Sequence, residues 1–362
     1  MKVTLIAGAR PNFMKVAPVI HAIKEANNNG ADINYRLIHT GQHYDENMSG
    51  SFFEELSIPV PDANLACGSG TQAEQAAAIM IAFEKELETH PTDLVMVVGD
   101  VTSTMACSIV AKKMNTQVAH IEAGIRSWDL TMPEEINRMV TDSITDLFFT
   151  TSEVANQNLI RLGVPQNKIH FVGNVMIDTL LANMPRFKRP QIADELGLKN
   201  GEYLILTLHR PANVDAERKL KTTMDEIINN VRGLPIIFPM HPRTAKTFEE
   251  LGIEAKNMHI IEPMSYLEFN YLVQNSKGVV TDSGGITEET TIMNVPCITL
   301  RDNTERPETI TVGTNELIGT DPISIKPTLD RLFSGHWKKG FAPELWDGFA
   351  AKRITEVLLT IK

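Results

Sequence analysis

The stretch from Gly278 to Glu308, GVVTDSGGITEETTIMNVPCITLRDNTERPE, sets its chemistry-bearing residues in an order that a phosphate ligand would use. An apolar β-branched run ends in Thr281-Asp282, turns through Ser283, Gly284 and Gly285, and continues into a helical pattern carrying Glu288 and Glu289. A strand, a glycine turn and a helix start leave backbone N–H groups and the positive end of a helix dipole open to an anion. The glycines let that anion approach the backbone with no Cβ in the way. Glu289, about one turn into the helix, is spaced to accept two adjacent hydroxyls of the kind a ribose presents. A second apolar run, Val295 to Leu300, then discharges into Arg301, Glu305, Arg306 and Glu308. Ser-Gly-Gly by itself also fits an ordinary βα turn. The longer polar string points instead to a nucleotide diphosphate held at a helix N-terminus.

Further ionisable residues cluster where strands should end. Gly8-Ala9-Arg10-Pro11-Asn12-Phe13-Met14-Lys15 follows the first strand and opens the first helix, so Arg10 and Lys15 can meet an anion there. Lys15 reads equally as a solvated helix residue. Asp100 closes the run Leu94 to Val98, Glu122 closes the run ending at Ile121, and Glu134 and Glu135 lie in the first turn of a helix. Acids in a first turn often only complement the helix dipole, which accounts for one of that pair. It does not account for Asp100 and Glu122, which close separate strands at one sheet edge. Clustered carboxylates there suit proton transfer, because like charges push pKa values apart and leave an acid beside a base. In the second half His209-Arg210 and His241-Pro242-Arg243 end consecutive strands, a pattern suited to a diphosphate and a leaving group.

The elements that must position these residues alternate. Strands are predicted near 3–7, 35–39, 94–98, 117–121 and 147–150, and again near 203–207, 235–239, 258–261, 278–281 and 296–300. Helices are predicted near 13–27, 72–89, 103–114, 134–145 and 153–162, then near 216–231, 244–251, 266–274 and 285–293. Such alternation builds βα units around parallel sheets. With 362 residues the chain exceeds a comfortable single core. Two doubly wound α/β domains follow, 1–170 and 171–346, with a C-terminal helix at about 347–362 that returns to the first. The junction is placed where Pro165-Gln166-Asn167 and Gly173-Asn174 interrupt the periodicity.

Lys plus Arg number 34 and Asp plus Glu 45, a formal charge of 34 − 45 = −11. That balance disfavours general nucleic-acid binding. No apolar run reaches the length of a membrane span, and no signal peptide precedes the first strand, so a cytoplasmic location is expected. Cys67, Cys107 and Cys297 have neither metal-ligand spacing nor a reason to pair. The G-x-G-x-x-G fingerprint is absent. No cofactor and no metal are expected.

GARPNFMK, VGDVTST, HIEAGIRS, TMPEEINR, GNVMIDTL, TLHRPANVD, MHPRT, TDSGGITEE and TERPET, taken in order between residues 8 and 310, resemble the non-hydrolysing UDP-N-acetylglucosamine 2-epimerases. The resemblance implies a GT-B type fold, two Rossmann-like doubly wound domains facing across a cleft, and a homodimer. It implies interconversion of UDP-GlcNAc and UDP-ManNAc through UDP and an enzyme-bound 2-acetamidoglucal, supplying amino sugar for cell-surface polysaccharide. It makes Asp100, Glu122, Glu134 and His209 catalytic. Arg10 and Lys15 become substrate contacts in the first domain; His241 and Arg243, from their strand-end position alone, are expected substrate contacts in the second. Ser283, Gly284 and Gly285 become the diphosphate turn, Glu289 the ribose contact, Arg306 a further UDP contact, and Phe269 and Met264 the apolar neighbours of the uracil. Two departures stand out. Pro211-Ala212-Asn213-Val214-Asp215 replaces an arginine and a Glu found in several members, and Gly70-Thr71-Gln72-Ala73-Glu74-Gln75 lacks a basic residue expected where some members bind an activating second UDP-GlcNAc.

Three other readings share parts of this pattern. A GT-B glycosyltransferase needs the nucleotide site but no chemistry at C2, so the acids at 100, 122 and 134 speak against it. A hydrolysing epimerase would release free ManNAc. A catalytically silent UDP-sugar sensor would retain buried carboxylates at a cost in stability and without a use.

Overall fold

The computed structural model describes residues 1–41, 53–68, 70–208, 217–240, 248, 251–253 and 255–361. The chain divides into two compact units, Met1–Ala182 with Glu344–Lys362, and Asn183–Pro343.

The first unit is built on seven parallel strands in the order β3-β2-β1-β4-β5-β6-β7. They are β1 (Lys2–Ala7), β2 (Asn34–His39), β3 (Ala63–Asn64), β4 (Leu94–Val98), β5 (Gln117–Ile121), β6 (Leu147–Thr150) and β7 (Ile169–Phe171). Every residue of β4 is buried, because helices cover both faces of a parallel sheet and leave no solvent side for an alternating pattern. Those helices include α1 (Arg10–Asn28), α2 (Gln72–Thr89), α3 (Thr102–Lys113), α4 (Pro133–Ile144), α5 (Glu153–Arg161) and α6 (Val175–Asn183). The strand order reverses between β1 and β4. In open α/β sheets, ligands bind at such a switch, beyond the carboxyl ends of the strands. Arg10 and Lys15 follow β1, and Asp100 follows β4.

The second unit holds six parallel strands in the order β10-β9-β8-β11-β12-β13. They are β8 (Leu204–Thr207), β9 (Ile236–Pro239), β10 (Met258–Ile261), β11 (Gly278–Thr281), β12 (Cys297–Thr299) and β13 (Asn315–Leu317). Leu204, Leu206, Phe238, Val280 and Ile298 point into one core cluster, and Ile205, Ile237, Val279 and Cys297 into the other, the period-2 alternation of strands buried on both faces. Helices α7 (Gln191–Glu195), α8 (Glu217–Asn230), α9 (Tyr266–Asn275), α10 (Gly284–Met293), α11 (Pro307–Thr311) and α12 (Ile325–Phe333) accompany the sheet. Its switch lies between β8 and β11, where Thr207 Oγ1 and Thr281 Oγ1 are 2.6 Å apart. The Ser283-Gly284-Gly285 turn follows β11 at that point.

The division between units falls at 182/183 and 343/344, past the junction expected at 165–175. Gly173 breaks the sequence periodicity for a different reason. Its φ is +92°, and a Cβ there would lie 2.1 Å from the carbonyl oxygen of Leu345. The glycine marks the crossing of the C-terminal chain over the first unit. That chain ends in α13 (Ala350–Thr360), which packs on α1. Asp178 Oδ1 and Oδ2 accept the N–H groups of Ala350 at 3.1 Å and Ala351 at 2.7 Å, capping α13. No helix among the described residues is long and apolar enough to cross a membrane.

Candidate active site

In the first unit each strand-tip acid has its own cation. Lys15 Nζ donates to Glu122 Oε2 at 2.6 Å, with side-chain exposures of 15% and 4%. Arg138 Nη1, from α4, donates to Asp100 Oδ2 at 2.5 Å. A buried carboxylate is tolerated when a cation and hydrogen bonds replace its water. β4 and β5 are hydrogen-bonded neighbours, with Val98 opposite Ile121, so Asp100 and Glu122 leave adjacent strand ends. Glu122 has φ +70°, a left-handed conformation that a non-glycine residue adopts at a cost of order 1–3 kcal/mol. Gly99, φ +67°, makes the companion turn, and a Cβ on it would sit 3.3 Å from Lys15 Nζ and 3.6 Å from Glu122 Oε2.

Helix α4 separates its two acids. Glu134 is exposed, whereas Glu135 is fully buried. Glu135 accepts from Ser127 N at 3.0 Å, Ser127 Oγ at 3.1 Å, Trp128 N at 3.1 Å, and Arg138 Nε and Nη2 at 3.0 and 2.7 Å. Burial opposes its ionisation, but these donors and the Arg138 charge outweigh that and hold the carboxyl below its ordinary value. Glu135 thus fixes the loop before α4 and orients Arg138, leaving Glu134 accessible.

In the second unit Ser283 is the N-cap of α10, with extended backbone at φ −86° and ψ 130°. Its N–H donates to Thr281 Oγ1 at 2.9 Å. A Cβ on Gly284 would sit 3.3 Å from Glu305 Oε1 and 3.5 Å from Arg301 Nη1, so a side chain there would press on that ion pair, while space around Gly285 is open. Glu289 is buried at 5% exposure and accepts from the Tyr266 hydroxyl at 2.9 Å. Burial pushes its carboxyl up to about 7, against the pull of the tyrosine. Arg306 Nε donates to Glu288 Oε1. Glu308 is 6% exposed and is also pushed up to about 7, first by burial, with Arg306 pulling it back and Glu288 adding to the rise. Met264 and Phe269 are partly buried against the cluster that contains Val279 and Cys297.

Arg10 is the first residue of α1. His209, His241 and Arg243 lie outside the described residues, as do Pro211 to Asp215. Among the described residues no group of three or more His, Cys, Asp or Glu is gathered to hold a metal ion.

The comparisons decide the family. The sequence model of the UDP-N-acetylglucosamine 2-epimerases matches residues 24–359. A UDP-N-acetylglucosamine 2-epimerase of Methanocaldococcus jannaschii is 41% identical over 370 residues, with 99% of each chain covered. The chain belongs to the UDP-N-acetylglucosamine 2-epimerase family. It is therefore an isomerase with the GT-B type of fold, two Rossmann-like units. The crystal structure of the M. jannaschii enzyme in complex with UDP-GlcNAc and UDP superposes with a TM-score of 0.87 over 99% of both chains. That of the Neisseria meningitidis epimerase bound to UDP-GlcNAc, 29% identical, gives 0.89 over the full length of both. A relative in Pseudomonas aeruginosa, 39% identical over 88% of each chain, is a UDP-2,3-diacetamido-2,3-dideoxy-D-glucuronate 2-epimerase.

Arg138, the partner of Asp100 and Glu135, and Tyr266, the partner of Glu289, were not singled out from the sequence. The i,i+3 spacing of Glu135 and Arg138, that of a helical ion pair, could have found the first.

Proposed function

We propose that the protein interconverts UDP-GlcNAc and UDP-ManNAc by inversion at C2. The observation that carries this reading is the ionic pairing of Asp100 with Arg138 and Glu122 with Lys15 at adjacent strand ends. Both carboxylates close neighbouring strands of one sheet, at the edge where open α/β sheets take their ligands. A base at C2 is what epimerisation needs and glycosyl transfer does not.

In the proposed route a carboxylate takes the C2 proton, the C–H electrons form a C1=C2 double bond, and the C1–O bond breaks with its electrons leaving on UDP. The products of this half-reaction are 2-acetamidoglucal and UDP. Addition of the UDP oxygen to C1, with proton delivery to the opposite face of C2, restores the nucleotide sugar with inverted stereochemistry. Asp100, Glu122 and Glu134 are the proton carriers and His209 the histidine of the site. Arg10, Lys15, His241 and Arg243 contact substrate, Ser283, Gly284 and Gly285 take the diphosphate, Glu289 the ribose, Arg306 the UDP, and Phe269 and Met264 border the uracil. The α10 N-terminus supports the diphosphate role, since it combines N–H groups with the positive dipole end. The product would serve cell-surface polysaccharide, made in the cytoplasm by a homodimer.

The names of the relatives share reaction at C2 and differ in the groups at C3 and C6. The two archaeal and neisserial enzymes named for UDP-GlcNAc favour that substrate here. The test is incubation with UDP-GlcNAc in D2O followed by NMR, with UDP-2,3-diacetamido-2,3-dideoxy-D-glucuronate in parallel. UDP-ManNAc carrying deuterium at C2 is expected. Epimer that keeps protium at C2 would refute the elimination route, free ManNAc would indicate hydrolysis, and turnover of the glucuronate alone would reassign the sugar.

A further inference from the structure

We infer that His120 is a positioning residue for this reaction, a doubly donating imidazolium that ties the two turns carrying Asp100 and Glu122 to a buried carboxylate of α4. The inference rests on the roles proposed above for those two acids. His120 lies on β5 and is fully buried. Its Nε2 donates to the carbonyl oxygen of Gly99 at 2.8 Å, and its Nδ1 to Asp142 Oδ1 at 2.7 Å. A backbone carbonyl can only accept. Asp142 is placed as a carboxylate, since its other oxygen lies 2.7 Å from the buried Arg126 guanidinium and accepts a backbone N–H. Both ring nitrogens therefore face acceptors, and each must carry a proton. The usual core histidine, neutral with one donor and one acceptor, does not fit this pair of partners.

Each of these bonds ends on a turn that aims a proposed proton carrier. Gly99 immediately precedes Asp100, and its own N–H donates to Ile121 O at 3.1 Å. Asp142 Oδ2 accepts the N–H of Gly124 at 3.0 Å, two residues beyond Glu122. The same oxygen lies 2.7 Å from Arg126 Nη2. Gly124 is closely packed, since a Cβ on it would lie 2.5 Å from Ala155 O. One carboxylate on α4 thus holds the Glu122 turn directly and the Asp100 turn through His120. Neither residue needs to reach the sugar. Their effect is geometric, and displacement of a reacting group by about 1 Å can cost on the order of 10²-fold in rate.

The test uses the full-length protein with 15N-labelled histidine, His120→Gln and Asp142→Asn. Long-range 1H–15N spectra of the unsubstituted protein at pH 7.5 should show one histidine with both ring nitrogens protonated, absent from His120→Gln. In Asp142→Asn that histidine should lose one ring proton. Both variants should lower kcat roughly 10–100-fold, with KM and the calorimetric Kd for UDP within about twofold of the parent. A bare nitrogen on His120 in the unsubstituted protein would overturn the inference whether or not either variant folds. So would parental kcat in a folded His120→Gln, or an equal loss of kcat and UDP binding, which a generally loosened fold would give. The ring signature needs no substrate, so it stands or falls separately from the reaction proposed for the site.

Discussion

Lys15 and Glu122, 107 positions apart in sequence, meet at 2.6 Å, so the helix after the first strand supplies the counter-charge for the acid that closes the fifth. Removing the ammonium would take a cation from a carboxylate that is only 4% exposed. Lys15→Met should therefore lower kcat about 10²-fold or more at pH 7. Lys15→Arg keeps the charge and should keep a larger share of activity. The kcat and KM values of the three proteins decide this. A raised KM with parental kcat in Lys15→Met would make the lysine a substrate contact only.

The exposed Glu134 and the buried Glu135 predict opposite outcomes for the same change. Glu135→Gln weakens bonds from Ser127, Trp128 and Arg138 inside the protein, and breaking such a buried pair costs about 3–5 kcal/mol. Its thermal midpoint should fall by several degrees. Glu134→Gln should leave the midpoint within about 1 °C, as surface changes do, and lower kcat by about 10²–10⁴ if it carries a proton. Calorimetric scans beside initial rates separate the two. Equal destabilisation by both changes would remove Glu134 from the chemistry.

The parts of this protein legible in sequence are those written in contiguous strings. The fully apolar Leu94–Val98, the turn through Ser283 to Gly285 and the acids that close β4 and β5 each announce themselves within a few residues. β3, β7 and β13, of two or three residues each at or near sheet edges, are too short for any periodicity to register. Pairings between distant side chains are illegible for another reason. Nothing local to Asp100 names Arg138, and nothing near Glu289 names Tyr266. The choice between Glu134 and Glu135 depends on helix phase, since adjacent residues point about 100° apart and the apolar pattern does not fix the phase to one residue.

Glu308 makes stability of the second unit depend on pH. Its carboxyl is buried, and burial raises it to about 7 from the ordinary 4.5. A carboxyl raised on folding binds its proton more tightly in the native state. Its contribution is full below about pH 4.5 and is lost as pH rises to about 7. Glu308→Gln, which mimics the protonated form, should raise the thermal midpoint by roughly 2–6 °C at pH 8 and change it little at pH 5. Comparing variant and parent at both pH values cancels the other titrating groups. Equal shifts at the two pH values would show that Glu308 is not the group responsible.

Tyr266 bears on the ribose assignment of Glu289. The tyrosine hydroxyl donates to Glu289 Oε1 at 2.9 Å and opposes the burial that raises this carboxyl to about 7. In Tyr266→Phe the carboxyl should stay protonated to higher pH and lose its fixed orientation, and so accept ribose hydroxyls less well. A lost hydrogen bond of about 1 kcal/mol corresponds to a roughly fivefold weaker Kd for UDP at pH 7. The loss should shrink toward pH 9, where Glu289 ionises in either protein. Because the ribose contact is present in both ground and transition states, KM should rise more than kcat falls. The decisive comparison is with 2′-deoxy-UDP, which lacks one of the two hydroxyls. If Glu289 holds the ribose, the parent should prefer UDP over the deoxynucleotide and the variant should lose much of that preference. Equal weakening toward both nucleotides would detach Glu289 from the ribose and leave its pairing with Tyr266 a matter of packing alone.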